Sequence, residues 1–221
     1  MQFAVLWDWD GVVIDSSRQH ELSWERLAEE EKRHLPTDHF VRGFGKKNAV
    51  IIPEILDWTK DSEEVERLGR RKEALYRLIL QEEGKAPDLI PGVRRILKAL
   101  SESGVPSVVA TSTERENVDL IFEIMGLGAY FQDVVASEDV NRGKPDPEVF
   151  LKASEKAGIP PGRCIVCEDS LHGIEAGLNG GMRVVGVATT QPVSTLEAAG
   201  AHATIPDFKT VEPSFFAQLI L

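Results

Sequence analysis

Phe3-Ala4-Val5-Leu6-Trp7-Asp8-Trp9-Asp10-Gly11-Val12-Val13-Ile14-Asp15-Ser16 decides how the rest of the chain is read. An apolar run of strand length stops at two carboxylates spaced i, i+2, and a glycine then lets the chain turn away. Side chains two apart leave the same side of an extended backbone, so at a strand's carboxyl end Asp8 and Asp10 would face one cavity. Two carboxylates that close repel each other unless a cation or a shared proton relieves them. A hard, oxygen-seeking divalent ion such as Mg2+ suits the pair. For this stretch alone, a solvated turn at Asp10-Gly11 after a buried strand is the alternative.

Downstream, Asp15-Ser16-Ser17 can cap a helix over 18–32, and from there to about residue 85 the pattern is wholly helical. A short helix or turn is expected over 36–44, a helix over 47–58, and a long helix capped by Asp61-Ser62 running to about 83. The remainder alternates strand and helix, which implies an α/β fold with a parallel sheet covered on both faces. Expected strands cover 107–111, 133–136, 164–167, 183–187 and 203–205. Thr113-x-x-Glu116 and Ser194-x-x-Glu197 match capping boxes, and Ser170 is placed to cap the helix that follows it. Ligands of open parallel sheets bind beyond the strands' carboxyl ends. Four such ends carry chemistry here: Asp8/Asp10, Thr111/Ser112, Gly143-Lys144-Pro145 and Glu168/Asp169.

A chain of 221 residues is long enough for one large core with a smaller inserted domain. Its 42% hydrophobic and 28% charged residues are those of an ordinary globule. A net charge of −11 argues against nucleic acid or an anionic membrane as a partner, so a phosphate-bearing ligand would need locally placed cations. No signal-type segment is read at the amino terminus and no apolar run approaches ~20 residues, so a cytoplasmic location is expected. Cys164 and Cys167 fall in one expected strand and read as buried thiols rather than a disulfide or a zinc site. No histidine cluster offers a metal site.

Taken together, the chain resembles the haloacid dehalogenase superfamily, in the branch with a helical cap inserted after the first strand. Asp8-Trp9-Asp10-Gly11-Val12 is similar to its first motif and Ala110-Thr111-Ser112-Thr113 to its second. Gly143-Lys144-Pro145-Asp146-Pro147 is similar to its third, and Cys167-Glu168-Asp169-Ser170 with Gly173-Ile174 and Ala176-Gly177 to its fourth. The four in order cover nearly the whole chain and are specific as a set. The resemblance implies a Rossmann-like doubly wound parallel sheet core over 1–14 and 86–221, with an all-helical cap domain over 15–85.

In such proteins Asp8 would attack phosphorus and become an aspartyl-phosphate. Asp10 would protonate the leaving oxygen and then take a proton from water, which calls for a raised pKa. Thr111 and Ser112 would hold phosphate oxygens, Gly11 would border them, and Lys144 would offset negative charge. Asp8, Asp10, Glu168 and Asp169 would hold Mg2+. An acid at position 10 separates the chain from dehalogenating and phosphonate-cleaving relatives. His20, Trp24 and Lys72 resemble cap positions that meet substrate, and Arg42-Gly43-Phe44-Gly45-Lys46-Lys47-Asn48 resembles the cap's substrate loop. The expected function is a Mg2+-dependent phosphatase of a small phosphorylated metabolite, a sugar or polyol phosphate, acting as a monomer or weak homodimer. The alternatives are a phosphosugar mutase of the beta-phosphoglucomutase type and a non-catalytic binder of phospho-ligands.

Overall fold

A computed structural model of the protein describes residues 2–43 and 45–220; Phe44, part of the expected substrate loop, lies outside them. In chain order, β1 (Ala4–Trp7) and β2 (Ile14–Asp15) lead into α1 (Ser17–Glu31), α2 (His39–Gly43) and α3 (Asn48–Val50). A π-helical turn (Ile51–Ile55) continues α3, and α4 (Ser62–Glu83) follows. Then come β3 (Asp88–Leu89), α5 (Val93–Glu102), β4 (Ser107–Ala110), α6 (Arg115–Met125), β5 (Asp133–Val135) and α7 (Glu148–Ala157). The last elements are β6 (Cys164–Glu168), α8 (Leu171–Asn179), β7 (Arg183–Val187), α9 (Val193–Ala198), β8 (Ala203–Ile205) and α10 (Pro213–Leu219).

Six strands form a parallel sheet in the order β5-β4-β1-β6-β7-β8. β1 is central: Val5 is in register with Ser107 of β4 and with Ile165 of β6. The chain winds outward from β1 in both directions, which opens a crevice at the strands' carboxyl ends. Alternation along β1 feeds both faces. Ala4 and Leu6 join a core with Val108, Ala110, Phe150, Cys164 and Val166. Trp7 lies against Phe208 and Phe216, with ring centroids 5.3 and 6.3 Å apart. Trp7 is fully buried, and its truncation to alanine should cost about 3–5 kcal/mol. Both cysteines are free and buried, as the sequence suggests.

The chain divides into two compact units, Met1–Asp15 with Asp88–Leu221, and Ser16–Pro87. Among its described residues the second unit consists of helices and the loops that join them. Trp24, Leu27, Ile52, Leu68 and Leu75 form its core. Arg18 pairs with Glu83, Arg71 with Glu30 at 2.6 Å, and Arg67 with Glu31 at 2.8 Å. That order of partners makes α1 and α4 antiparallel. Exposed pairs of this kind contribute only about 0–1 kcal/mol each, so the apolar seam holds the helices together. In the first unit, β2 and β3 pair antiparallel, Ile14 opposite Leu89 and Asp15 opposite Asp88.

Several boundaries differ from the sequence reading. Asp61 caps α4, its Oδ1 accepting the Glu64 N–H at 2.9 Å, and Ser170 caps α8. The two expected capping boxes do not form. α6 starts at Arg115 with Glu114 in the cap position, because Thr113 is drawn into the site described below. α9 starts at Val193 behind Pro192, which puts Ser194 inside the helix. The helix expected over 36–44 begins at His39, and the one over 47–58 is α3 with its π-helical turn. Among the described residues no helix is long and apolar enough to cross a membrane.

Candidate active site

Asp8 follows the last residue of β1, and its N–H donates to the Cys167 carbonyl at 3.0 Å. That bond extends the ladder by one step and brings Asp8 beside the end of β6, where Glu168 and Asp169 emerge. One oxygen from each of these three buried carboxylates lies within 4.8 Å of the others. Lys144 reaches them from the loop before α7; its Nζ lies 2.6 Å from Asp8 Oδ1 and 2.5 Å from Glu168 Oε1, with only 4% of the side chain exposed. Three carboxylates against one ammonium leave the group short of positive charge.

Glu168 is held along its whole carboxylate. Oε2 accepts the N–H groups of Asp169 and Ser170, both at 2.9 Å, and the Ser170 hydroxyl at 3.0 Å. The Ser170 Oγ in turn accepts the Gly173 N–H at 3.1 Å. A side chain at position 173 would overlap the Glu168 carboxylate, which explains a glycine in the first turn of α8.

Asp10 is gripped from the other side. The Thr113 hydroxyl donates to Asp10 Oδ2, and the Thr113 N–H donates to Thr111 Oγ at 3.0 Å. Thr111 is buried and Ser112 half-buried. Trp9, between the two aspartates, anchors the turn edge-on against Phe122 and Phe131, at 5.4 and 6.3 Å. Asp10 belongs to the metal set expected from the sequence, yet the converging carboxylates are those of Asp8, Glu168 and Asp169.

Two further residues enter that no motif quoted above contains. Thr189 Oγ donates to the Gly11 carbonyl at 2.5 Å, and Thr190 Oγ donates to Asp169 Oδ2 at 2.5 Å. Gly11 has φ +81°, and a side chain there would start 2.7 Å from Asp169 Cγ, so the turn and the acid fit together only with glycine. The signal was available: both threonines lie just past the carboxyl end of β7, the position that marks the other four segments.

The electrostatics follow from this crowding. Burial, reinforced by the charge of Glu168 and opposed by Lys144, pushes Asp8 up to about 7. Asp169 is driven well above the ordinary carboxylate value by burial and then by Glu168 and Asp8, against the Thr190 hydrogen bond and Lys144. Lys144 is raised, because the charges of Asp8 and Glu168 overcome the effect of burial. Burial pushes the Cys164 thiol up to about 12 and raises Cys167 as well, so neither is a ready thiolate.

Within the helical unit, Lys72 Nζ lies 2.6 Å from His20 Nδ1 and 2.9 Å from Glu73 Oε1. An ammonium can only donate, so His20 Nδ1 accepts. The same Glu73 oxygen accepts from Asn48 Nδ2 at 2.8 Å. His20 stacks on Tyr76 at 4.2 Å, and Lys72 sits 5.5 Å from the Trp24 ring centroid. Burial raises the Glu73 pKa, but the charge of Lys72 and the hydrogen bonds from Lys72 and Asn48 outweigh it and leave Glu73 lowered. His20, Trp24 and Lys72 are thus brought together. Arg42 pairs with Asp38 at 3.5 Å, Gly43 is buried against Ile51, and Lys46 closes a turn through its N–H to the Gly43 carbonyl at 3.0 Å.

A family model for hydrolases, "haloacid dehalogenase-like hydrolase", matches residues 4–181. The chain is 35% identical over 198 residues to the Arabidopsis thaliana chloroplastic 5-amino-6-(5-phospho-D-ribitylamino)uracil phosphatase; the match covers 89% of this chain and 52%, about half, of that protein. It is 30% identical to Beta-phosphoglucomutase of Bacillus subtilis (strain 168), covering 86% of this chain and 85% of the relative. A solved HAD hydrolase of family IA, variant 3, from Entamoeba histolytica HM-1:IMSS superposes with a TM-score of 0.88 at 29% identity, over 100% of this chain and 99% of that one.

Proposed function

Because the chain belongs to the haloacid dehalogenase-like hydrolase family, we propose that it is a Mg2+-dependent phosphatase of a small sugar or polyol phosphate, working through an aspartyl-phosphate on Asp8. The observation that carries this reading is the burial of Asp8, Glu168 and Asp169 around one lysine at the end of the central strand. The donor set is all carboxylate oxygen and lacks positive charge, so it fits a hard divalent cation. Asp8, Glu168 and Asp169 would hold the ion, and when bound it would neutralise charge on the phosphoryl oxygens.

The chain's own residues supply the rest. A carboxylate oxygen of Asp8 bonds to phosphorus as the ester oxygen leaves with a proton from Asp10. Water then attacks phosphorus, Asp10 takes its proton, and inorganic phosphate departs with Asp8 restored. Lys144 fixes Asp8 Oδ1 and offsets charge that builds during transfer. Thr111 accepts the Thr113 N–H through its lone pair, which leaves its hydroxyl proton for a phosphoryl oxygen, and the Ser112 N–H serves another. The helical unit acts as the cap, with Arg42, Gly43 and Lys46 and the group of His20, Trp24 and Lys72 selecting the leaving group.

A polyol phosphate is favoured by the ribityl phosphate in the Arabidopsis relative's name. The mutase reading is favoured by the Bacillus relative's name. Incubation with Mg2+ and a panel of sugar and polyol phosphates separates them. Phosphate release that disappears in Asp8→Ala supports the phosphatase. Conversion of beta-glucose 1-phosphate without release would establish the mutase, and no turnover of any phosphoester would refute both.

A further inference from the structure

Thr189 and Thr190 form the loop after β7, far in sequence from the motifs, yet the Thr190 hydroxyl is committed to Asp169 and the Thr189 hydroxyl to the carbonyl of Gly11, the residue packed against that acid. Asp169 Oδ2 occupies the space above Gly11 that a side chain would fill. Thr190 donates to that oxygen at 2.5 Å and lies 3.1 Å from the Asp169 carbonyl. From the opposite side, Thr189 holds the Gly11 carbonyl at 2.5 Å. The result is a closed arrangement of Gly11, Asp169, Thr189 and Thr190 in which rotation of the Asp169 carboxylate gives up the Thr190 hydrogen bond.

We infer that Thr190, supported by Thr189, is a positioning residue for the divalent-cation site: it fixes the plane of the Asp169 carboxylate, so that Oδ1 is presented to the ion without rearrangement. This rests on the reading that Asp8, Glu168 and Asp169 bind a cation. Hydrogen bonds that orient a ligand carboxylate are worth about 10–100-fold in metal affinity. Thr189 acts one bond further away, by fixing the turn on which Asp169 rests.

The test is titration of the full chain with Mn2+, read as loss of the free-ion EPR signal, for wild type, Thr190→Val, Thr190→Ser, Thr189→Val and Asp169→Asn. Thr190→Val is expected to weaken Mn2+ binding about 10–100-fold, while Thr190→Ser, which keeps the hydroxyl, stays close to wild type. Thr189→Val is expected to weaken binding by a smaller factor in the same direction, and it serves as the second variant should Thr190→Val fail to fold. Wild-type binding in Thr190→Val or Thr189→Val, with binding lost in Asp169→Asn, overturns the inference and leaves the cation site standing. Equal Mn2+ binding by wild type and Asp169→Asn overturns the cation site itself, and the inference with it. Loss in Thr190→Ser as large as in Thr190→Val would mean that the loop's shape, not its hydroxyl, sets the affinity.

Discussion

Lys144→Ala should destabilise the metal-free protein strongly, and by an amount that depends on pH. Lys144 is the ammonium that bonds both Asp8 and Glu168, and all three side chains are at least nine-tenths buried. Removing one partner of a buried ion pair typically costs about 3–5 kcal/mol. At this chain length that corresponds to a fall of about 6–20 °C in Tm. The sign with pH follows from Asp8, whose pKa rises from 3.8 to about 7 on folding. Below about pH 7 Asp8 is protonated in the folded protein and offers Lys144 no charge to pair with, so the Asp8 part of the penalty fades as pH falls through that value. Without Lys144 the Asp8 pKa rises further, so this part of the penalty grows from about pH 7 upward and is full only above the raised value. The difference between wild type and Lys144→Ala should therefore be larger near pH 8 than near pH 5. Urea and thermal melts in EDTA at pH 5, 6, 7 and 8 measure it, and saturating Mg2+ should shrink the difference at pH 8. A loss under about 1 kcal/mol at pH 8, or the same loss at pH 5 and pH 8, would refute the argument.

Asp8→Asn should abolish phosphate release and yet raise the Tm of the EDTA-treated protein at pH 8, because it relieves the carboxylate crowding; a lower Tm at pH 8 would contradict that account. Thr113→Val should reduce kcat about tenfold or more with KM little changed, as expected for a group that aims Asp10 in its proposed role as acid and base, and Thr113→Ser should recover most of it. Glu73→Gln should speed amide exchange in α1 and α4 at pH 7, since it weakens the partner of buried Lys72. Glu73 is lowered from 4.5, so its contribution is present above that value and disappears as pH falls through the folded pKa; a difference from wild type that persists well below it would exclude this cause.

The architecture and the centre of the site were legible because they rest on local patterns. The edges of β7 and β8 coincide with the apolar runs at 183–187 and 203–205, Asp8 and Asp169 sit directly past a strand, Glu168 ends one, and Lys144 lies in a loop with its own motif. What stayed hidden depends on partners far along the chain. Thr113 reads as a helix cap until its hydroxyl is seen on Asp10, 103 residues away, and Thr189 meets Gly11 across 178 residues. β2 and β3 have two residues each, too few for any alternation to register. The pairing of Lys72 with Glu73 was invisible because adjacent residues on a helix do not ordinarily face each other. No local pattern shows that Asp8 and Asp169 are raised, because the cause is their burial beside Glu168 at the ends of two different strands.

The antiparallel pairing of Asp15 with Asp88 brings the two points where the helical segment leaves and rejoins the sheet unit side by side. That segment is therefore a graft on a closed stub: a tight hairpin of a few residues joining Asp15 to Asp88 would let the remainder fold around its own core. Under the proposed function, such a minimal protein should bind Mn2+ as the full chain does and lose preference among phosphoesters. By the same geometry, a foreign helical segment with adjacent ends could be spliced in at that ladder without breaking the β2–β3 pairing.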